Sequence, residues 1–229
     1  DAINIMTNSN PRGATPLAQH VHQIREQIEA ILPTLQENGT RVAVVLGTDG
    51  LPSDERGVLS EYCENEFVEA LKMLQTLPVW IVIRLCTDDD DVVDFYNNLD
   101  KDLEKSVEVL DDFLSEAKEV RQHNPWLNYA LPLHRCREMG YYHCLFDLLD
   151  QRRLTKSELK QFCIILFGNS MIELIPDPDV DWNAFLLAVQ DLLKSEEGQW
   201  NPVTKKVTPW IDSKKLNEYY GDGGWCTIM

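Results

Sequence analysis

The first group in this chain placed to do chemistry is the carboxylate of Asp49. Thr48-Asp49-Gly50 directly follows an apolar run, Val42–Leu46, that is β-branched except at Ala43 and Leu46. So short a run predicts a strand buried on both faces, the kind that parallel sheets carry under helices. The turn then sets Asp49 just past the strand's C-terminal end, the edge at which open α/β sheets bind ligands. Other residues also have ligand chemistry. Asp177, Asp179 and Asp181 copy the opening of a calcium loop, yet the sixth position, which needs Gly, is Trp182 and the twelfth, which needs Glu, is Ala188. A turn capping the next helix is expected there instead. His134, Cys136, His143 and Cys144 are zinc-ligand types, but their spacing matches no standard zinc site. A helix start is the expectation.

His20 and His22 have no acid or nucleophile close in sequence, and no Ser-His-Asp signature, phosphate-binding Walker loop or G-x-G-x-x-G is present. An Asp49-dependent phosphotransferase would need the D-x-D strand end of haloacid-dehalogenase phosphatases, which is absent. No enzyme is expected. The last four residues, Cys226-Thr227-Ile228-Met229, have the C-a-a-X form that suits farnesylation of Cys226. Membrane association is expected only if that cysteine carries a lipid, and one prenyl group alone anchors marginally.

Composition narrows the choices further. At 229 residues and 26.4 kDa the chain holds one sizeable domain, or one domain with an appendage. A net charge of −17 argues against nucleic-acid partners, because phosphates would be repelled. Residues 1–50 hold five acids and three bases, so the negative field comes from the remainder. No apolar run is long enough for a membrane span. The six cysteines show no framework spacing and several lie inside apolar runs, which suits buried reduced thiols in an intracellular, cytoplasmic protein.

The elements that must position these residues follow from periodicity. Thr15 is expected to cap a helix with Pro16 at its first position, and Leu17, Val21, Ile24, Ile28, Ile31 and Leu35 give that helix one apolar face. Asn38-Gly39 stops it before the 42–46 strand. A second helix is predicted over 59–77 and a second buried strand over 79–86. Thr87 and Asp88–Asp91 are expected to cap the next helical segment. One long helix is predicted from Asp100 to Gln122 on the stripe Leu103, Val107, Leu110, Leu114 and Ala117, then a weaker third strand over 127–133. Helix followed by strand, twice over, is the pattern of a parallel α/β sheet. Residues 136–229 read as a helical extension ending in a tail with Trp200, Pro202, Pro209 and Trp210.

Gly13-Ala14-Thr15-Pro16-Leu17 before a helix, and Thr48-Asp49-Gly50 after the next strand, together resemble the von Willebrand factor A domain. In that family a G-x-T-P-L loop and a strand-terminal T-D-G loop supply two of three parts of a metal-ion-dependent adhesion site. The resemblance implies a Rossmann-like three-layer α/β fold, with residues 1–135 as its C-terminal portion. It implies that Thr15 gives a hydroxyl and Asp49 a carboxylate, directly or through water, to Mg²⁺, with Mn²⁺ or Ca²⁺ as alternatives. Gly13, Thr48 and Gly50 would shape the loops. Mg²⁺ takes hard oxygen ligands and keeps waters, so such a sparse protein set is chemically reasonable.

The family's third loop, D-x-S-x-S, does not occur in this chain. The resemblance implies a sheet order 3-2-1-4-5-6 of which only strands 4, 5 and 6 are present, so a separate or upstream segment is expected to complete the sheet and the metal site. The function implied is a non-enzymatic binding module, whose metal takes an exposed Asp or Glu of a protein partner. The alternative is an intracellular scaffolding domain of the same fold that needs no metal.

Overall fold

Three strands, Val42–Thr48 (β1), Val79–Leu85 (β2) and Val107–Leu110 (β3), form a parallel sheet in the order β1-β2-β3. The computed structural model describes residues 14–103, 107–168, 170 and 173–221. Within them the chain divides into two compact units, Asp1–Leu110 and Asp111–Met229. The first is mixed α/β, its parallel sheet flanked by helices.

β2 is apolar at alternate positions on both faces because it is the middle strand. Val79, Ile81, Ile83 and Leu85 join one core, while Trp80 and Val82 pack with Leu110 in a second cluster. The larger core is closed by Leu17–Asn38 (α1), Glu61–Leu74 (α2) and Asp90–Asp102 (α3), through Val21, Phe67, Leu71 and Tyr96, all fully buried. Ser60 caps α2 by accepting from the Cys63 backbone, and Gly39 ends α1 in a left-handed conformation, φ 61°.

β1 corrects one expectation. It is apolar along its length, but only Val44 and Thr48 are buried, while Ala43, Val45 and Gly47 are exposed. The exposed positions alternate, so they are one face of the strand: the face carrying Val44 joins the core closed by α1, α2 and α3, and the opposite face of β1 is left open. β1 also ends the sheet, and no described residue pairs with its outer edge.

Two further corrections concern the middle of the chain. The single helix predicted from Asp100 to Gln122 is interrupted: α3 ends at Asp102, β3 adds to the free side of β2, and a new helix, Phe113–His123 (α4), starts at the Asp112 cap. Asp112 takes the amides of Leu114 and Ser115 on one carboxylate oxygen, which restarts a helix from an extended segment. The third strand therefore lies at 107–110 rather than 127–133. Leu127 makes only an isolated bridge to Ile211, and Leu131–Glu138 (α5) begins where the strand was expected to end.

The second unit adds Cys144–Gln151 (α6), Lys156–Phe167 (α7), Trp182–Leu193 (α8) and Ser213–Tyr220 (α9) to α4 and α5. Its core gathers Trp126, Leu149, Phe162, Phe185 and Leu216. Because α4, Trp126 and α5 belong to this core, the division falls after Leu110, ahead of the boundary expected after residue 135. In the expected Trp- and Pro-containing tail, Gln199–Asn201 (β4) and Lys206–Thr208 (β5) pair as an antiparallel hairpin.

Buried polar groups in this unit are tied to specific partners. The Asn124 side chain, fully buried, donates to the carbonyls of Leu149 and Arg152, each at 2.9 Å, and accepts from the Leu154 amide at 3.3 Å. Arg137 donates to Glu116 at 2.7 Å, with both side chains about 5 % exposed, and also to the Tyr129 hydroxyl at 3.3 Å.

Candidate functional site

Thr15 and Asp49 sit on two loops of the first unit that are bonded to each other. The sequence places Thr15 as the cap of α1, but Pro16 takes that position, with no side-chain cap bond. Proline has no amide hydrogen, and the next amide, Leu17, is satisfied by the Thr15 carbonyl at 2.8 Å. The Thr15 hydroxyl is thus not used on the helix, and no hydrogen bond among the described residues engages it.

The link between the loops is Ser53, which sequence reasoning missed. Its hydroxyl accepts from the Thr15 amide at 2.8 Å and donates to the Asp54 carbonyl at 3.1 Å, and its own amide donates to the Thr15 carbonyl at 3.0 Å. Ser53 is buried, so this reciprocal pair is shielded from competing water. A serine within a run of turn-forming residues carries no signal separating it from its neighbours. Beyond it, the Asp54 carboxylate accepts from the amides of Arg56 and Val58, both at 2.8 Å, and this closes the loop on itself.

The turn that carries Asp49 is held at Gly50. The buried Thr48 hydroxyl donates to the Gly50 carbonyl at 3.0 Å and accepts from the Gly50 amide at 3.3 Å. On the same carbonyl, the Tyr96 hydroxyl donates at 3.1 Å. Burial pushes the Tyr96 hydroxyl up to about 12, against a lowering from Thr48, so it remains a proton donor throughout the physiological range. Asp49 itself is exposed, and no hydrogen bond among the described residues occupies its carboxylate. Bonds at Gly50 and Ser53 hold the turn, and no described residue engages the Asp49 oxygens.

The remaining candidates resolve locally. Asp89 accepts from the amides of Asp91 and Val92 and caps α3, as the acidic run predicts. Asp181 caps α8 by accepting from Ala184, and the Asp177 carboxylate accepts from the Asp179 amide, so the D-x-D-x-D run is a turn and a cap. His134 is buried on α5, whereas His143 caps α6 through Nδ1 to the Leu145 amide. Among the described residues, His134, Cys136, His143 and Cys144 supply no converging set of three ligand atoms. Gly13 and Cys226 lie outside the described residues.

A hydroxyl and a carboxylate are hard oxygen donors, which suits Mg²⁺ better than a thiophilic ion, and two of them leave the other octahedral positions to water and further ligands. No helix among the described residues is long and apolar enough to cross a membrane. No protein-family model matches the chain, and neither does any curated protein or solved structure.

Proposed function

We propose that the first unit is the C-terminal part of a von Willebrand factor A-type fold and acts as a metal-dependent protein-binding module. The observation that carries this reading is the Ser53 link. It ties the loop bearing the Thr15 hydroxyl to the loop bearing the Asp49 carboxylate, and no hydrogen bond among the described residues engages either group. Thr15 and Asp49 would hold Mg²⁺, with Mn²⁺ or Ca²⁺ as alternatives, and an Asp or Glu of a partner protein would complete the shell. The open edge of β1 supports the accompanying proposal that a separate or upstream segment pairs there and supplies the remaining ligands. An exposed apolar edge strand otherwise invites aggregation. The free thiols of Cys63, Cys86, Cys136, Cys144 and Cys163 favour a reducing compartment, and the cytoplasm is the proposed location.

The open edge also favours a second reading, a scaffold that adds a partner's strand to β1 with no metal. One pull-down separates the two. Under the first reading, partner capture is lost in EDTA, restored by Mg²⁺ and absent in Asp49→Ala. Capture that survives both EDTA and Asp49→Ala sinks the metal reading and leaves the strand-addition one.

A further inference from the structure

We propose that the groove between α1, the start of α2 and the loop after β1 docks an arginine-rich segment of a protein partner. The groove holds about 520 Å³, and its walls carry His22 and Glu26 of α1, Glu66 of α2, and Ser53, Asp54 and Glu55 of the loop. That volume lies within the ~300–1,000 Å³ usual for binding sites. Glu26, Glu55 and Glu66 are exposed, and no ion pair among the described residues engages them. Asp54 is fixed in place, because its Oδ1 accepts from the amides of Arg56 and Val58.

The charge around the groove is of one sign. Residues 15–30 and 53–72 carry eight acids against Arg25, Arg56 and Lys72. Arg25 is paired with Glu29 and Lys72 with Glu69, each at 2.8 Å, which leaves six acids and Arg56. A concave surface lined by one sign focuses its field and draws in the opposite charge. Carboxylates gathered in this way repel one another in the unliganded chain, and a cation placed among them turns repulsion into attraction.

The neighbouring side chain favours arginine over lysine. Tyr62 lies one turn before Glu66 on the same side of α2 and is 73 % exposed. A guanidinium pairs with a carboxylate through two parallel N–H bonds and also stacks flat on such a ring, which a compact ammonium does less well. Ser53 belongs both to the groove wall and to the link between the Thr15 and Asp49 loops, so the groove adjoins those loops. The inference goes beyond the metal reading and stands without it.

The test follows a fluorescein-labelled oligoarginine peptide by anisotropy as the full chain is added in EDTA. Metal plays no part under that condition, so this proposal and the metal reading can each fail alone. Saturable binding is expected, tighter than for oligolysine of the same length and weakened by salt. Glu26→Gln with Glu66→Gln should weaken it about tenfold, since each exposed ion pair contributes roughly two- to fivefold. Both positions are exposed on helices where Gln is as good a former as Glu, so the fold is preserved. Glu196→Gln with Glu197→Gln removes the same charge from the second unit and should leave binding unchanged. Tyr62→Ala should abolish the preference for arginine over lysine. No saturable binding, or equal weakening by the two glutamine pairs, would overturn the proposal. So would displacement of the peptide by an equal concentration of spermine, which would assign the groove to a polyamine.

Discussion

The hydroxyl of Tyr96 reaches from α3 to the Gly50 carbonyl, next to Asp49, at 3.1 Å. This bond joins the turn after β1 to a helix that begins after β2. The ring is fixed by edge contacts with Phe67 and Phe95, at centroid distances of 6.2 and 4.9 Å. Tyr96→Phe keeps the ring and deletes the donor, leaving Thr48 as the remaining partner of that carbonyl. A loss of about 1 kcal/mol is expected in chemical denaturation. Faster amide exchange over residues 49–53 is expected alongside, read by mass spectrometry.

Ser53→Ala removes the acceptor of the Thr15 amide at a buried position, and a cost of about 1–2 kcal/mol is expected. The proposed function adds a second consequence. Metal-dependent binding should weaken although Ser53 holds no metal, because the two loops lose their common anchor. Calorimetric Mg²⁺ titration of Ser53→Ala beside the unsubstituted chain checks this. Unchanged affinity in a folded variant would count against the anchor role.

How much of this was legible in the residues depends on the local ambiguity of each segment. β2 and its flanking helices follow from periodicity, since Val79–Leu85 is too short and too β-branched for a helix. Residues 100–122 are ambiguous because Leu103, Val107, Leu110, Leu114 and Ala117 keep helical spacing, while Val107-Glu108-Val109-Leu110 fits a strand equally well. The free side of β2 decides the matter, and that is a tertiary fact. Asp111-Asp112 was the local clue, a cap inside the supposed helix. Leu131-Pro132 carried another, since proline belongs in a helix's first turn as readily as at a strand's end. The Thr15 and Asp49 loops were visible as motifs. Ser53 and Tyr96, which hold them, were not, because the link spans 38 residues in one case and 46 in the other.

The Glu116–Arg137 pair gives a prediction for the second unit. Arg137→Met leaves the Glu116 carboxylate buried without its guanidinium, and a loss of about 3–5 kcal/mol is expected in urea unfolding. Glu116→Gln combined with Arg137→Met removes both charges and should recover most of that loss. If the double variant is no better than Arg137→Met alone, the cost lies in packing and not in the stranded charge.

Asp150 on α6 sets a pH dependence. Burial, and after it the nearby Glu116, push its carboxyl up to about 7, with Arg137 opposing and Glu119 adding to the rise. The native state therefore holds this proton more tightly than the unfolded chain, whose value is near 3.8. The stability it contributes is fully present below that value and is lost as pH rises through about 7. Asp150→Asn mimics the protonated form. It should raise the melting temperature at pH 8 by roughly 4 °C and change little at pH 4, as thermal scans at the two pH values would show.

The Asn124 side chain has a kinetic consequence as well. By holding Leu149, Arg152 and Leu154 at once, it makes the α6–α7 turn unable to open while the end of α4 stays closed. The two segments, far apart along the chain, should then behave as one foldon, their amides exchanging at a common rate through a shared opening. A protease that cuts within residues 149–154 would be reporting on the fraying of α4.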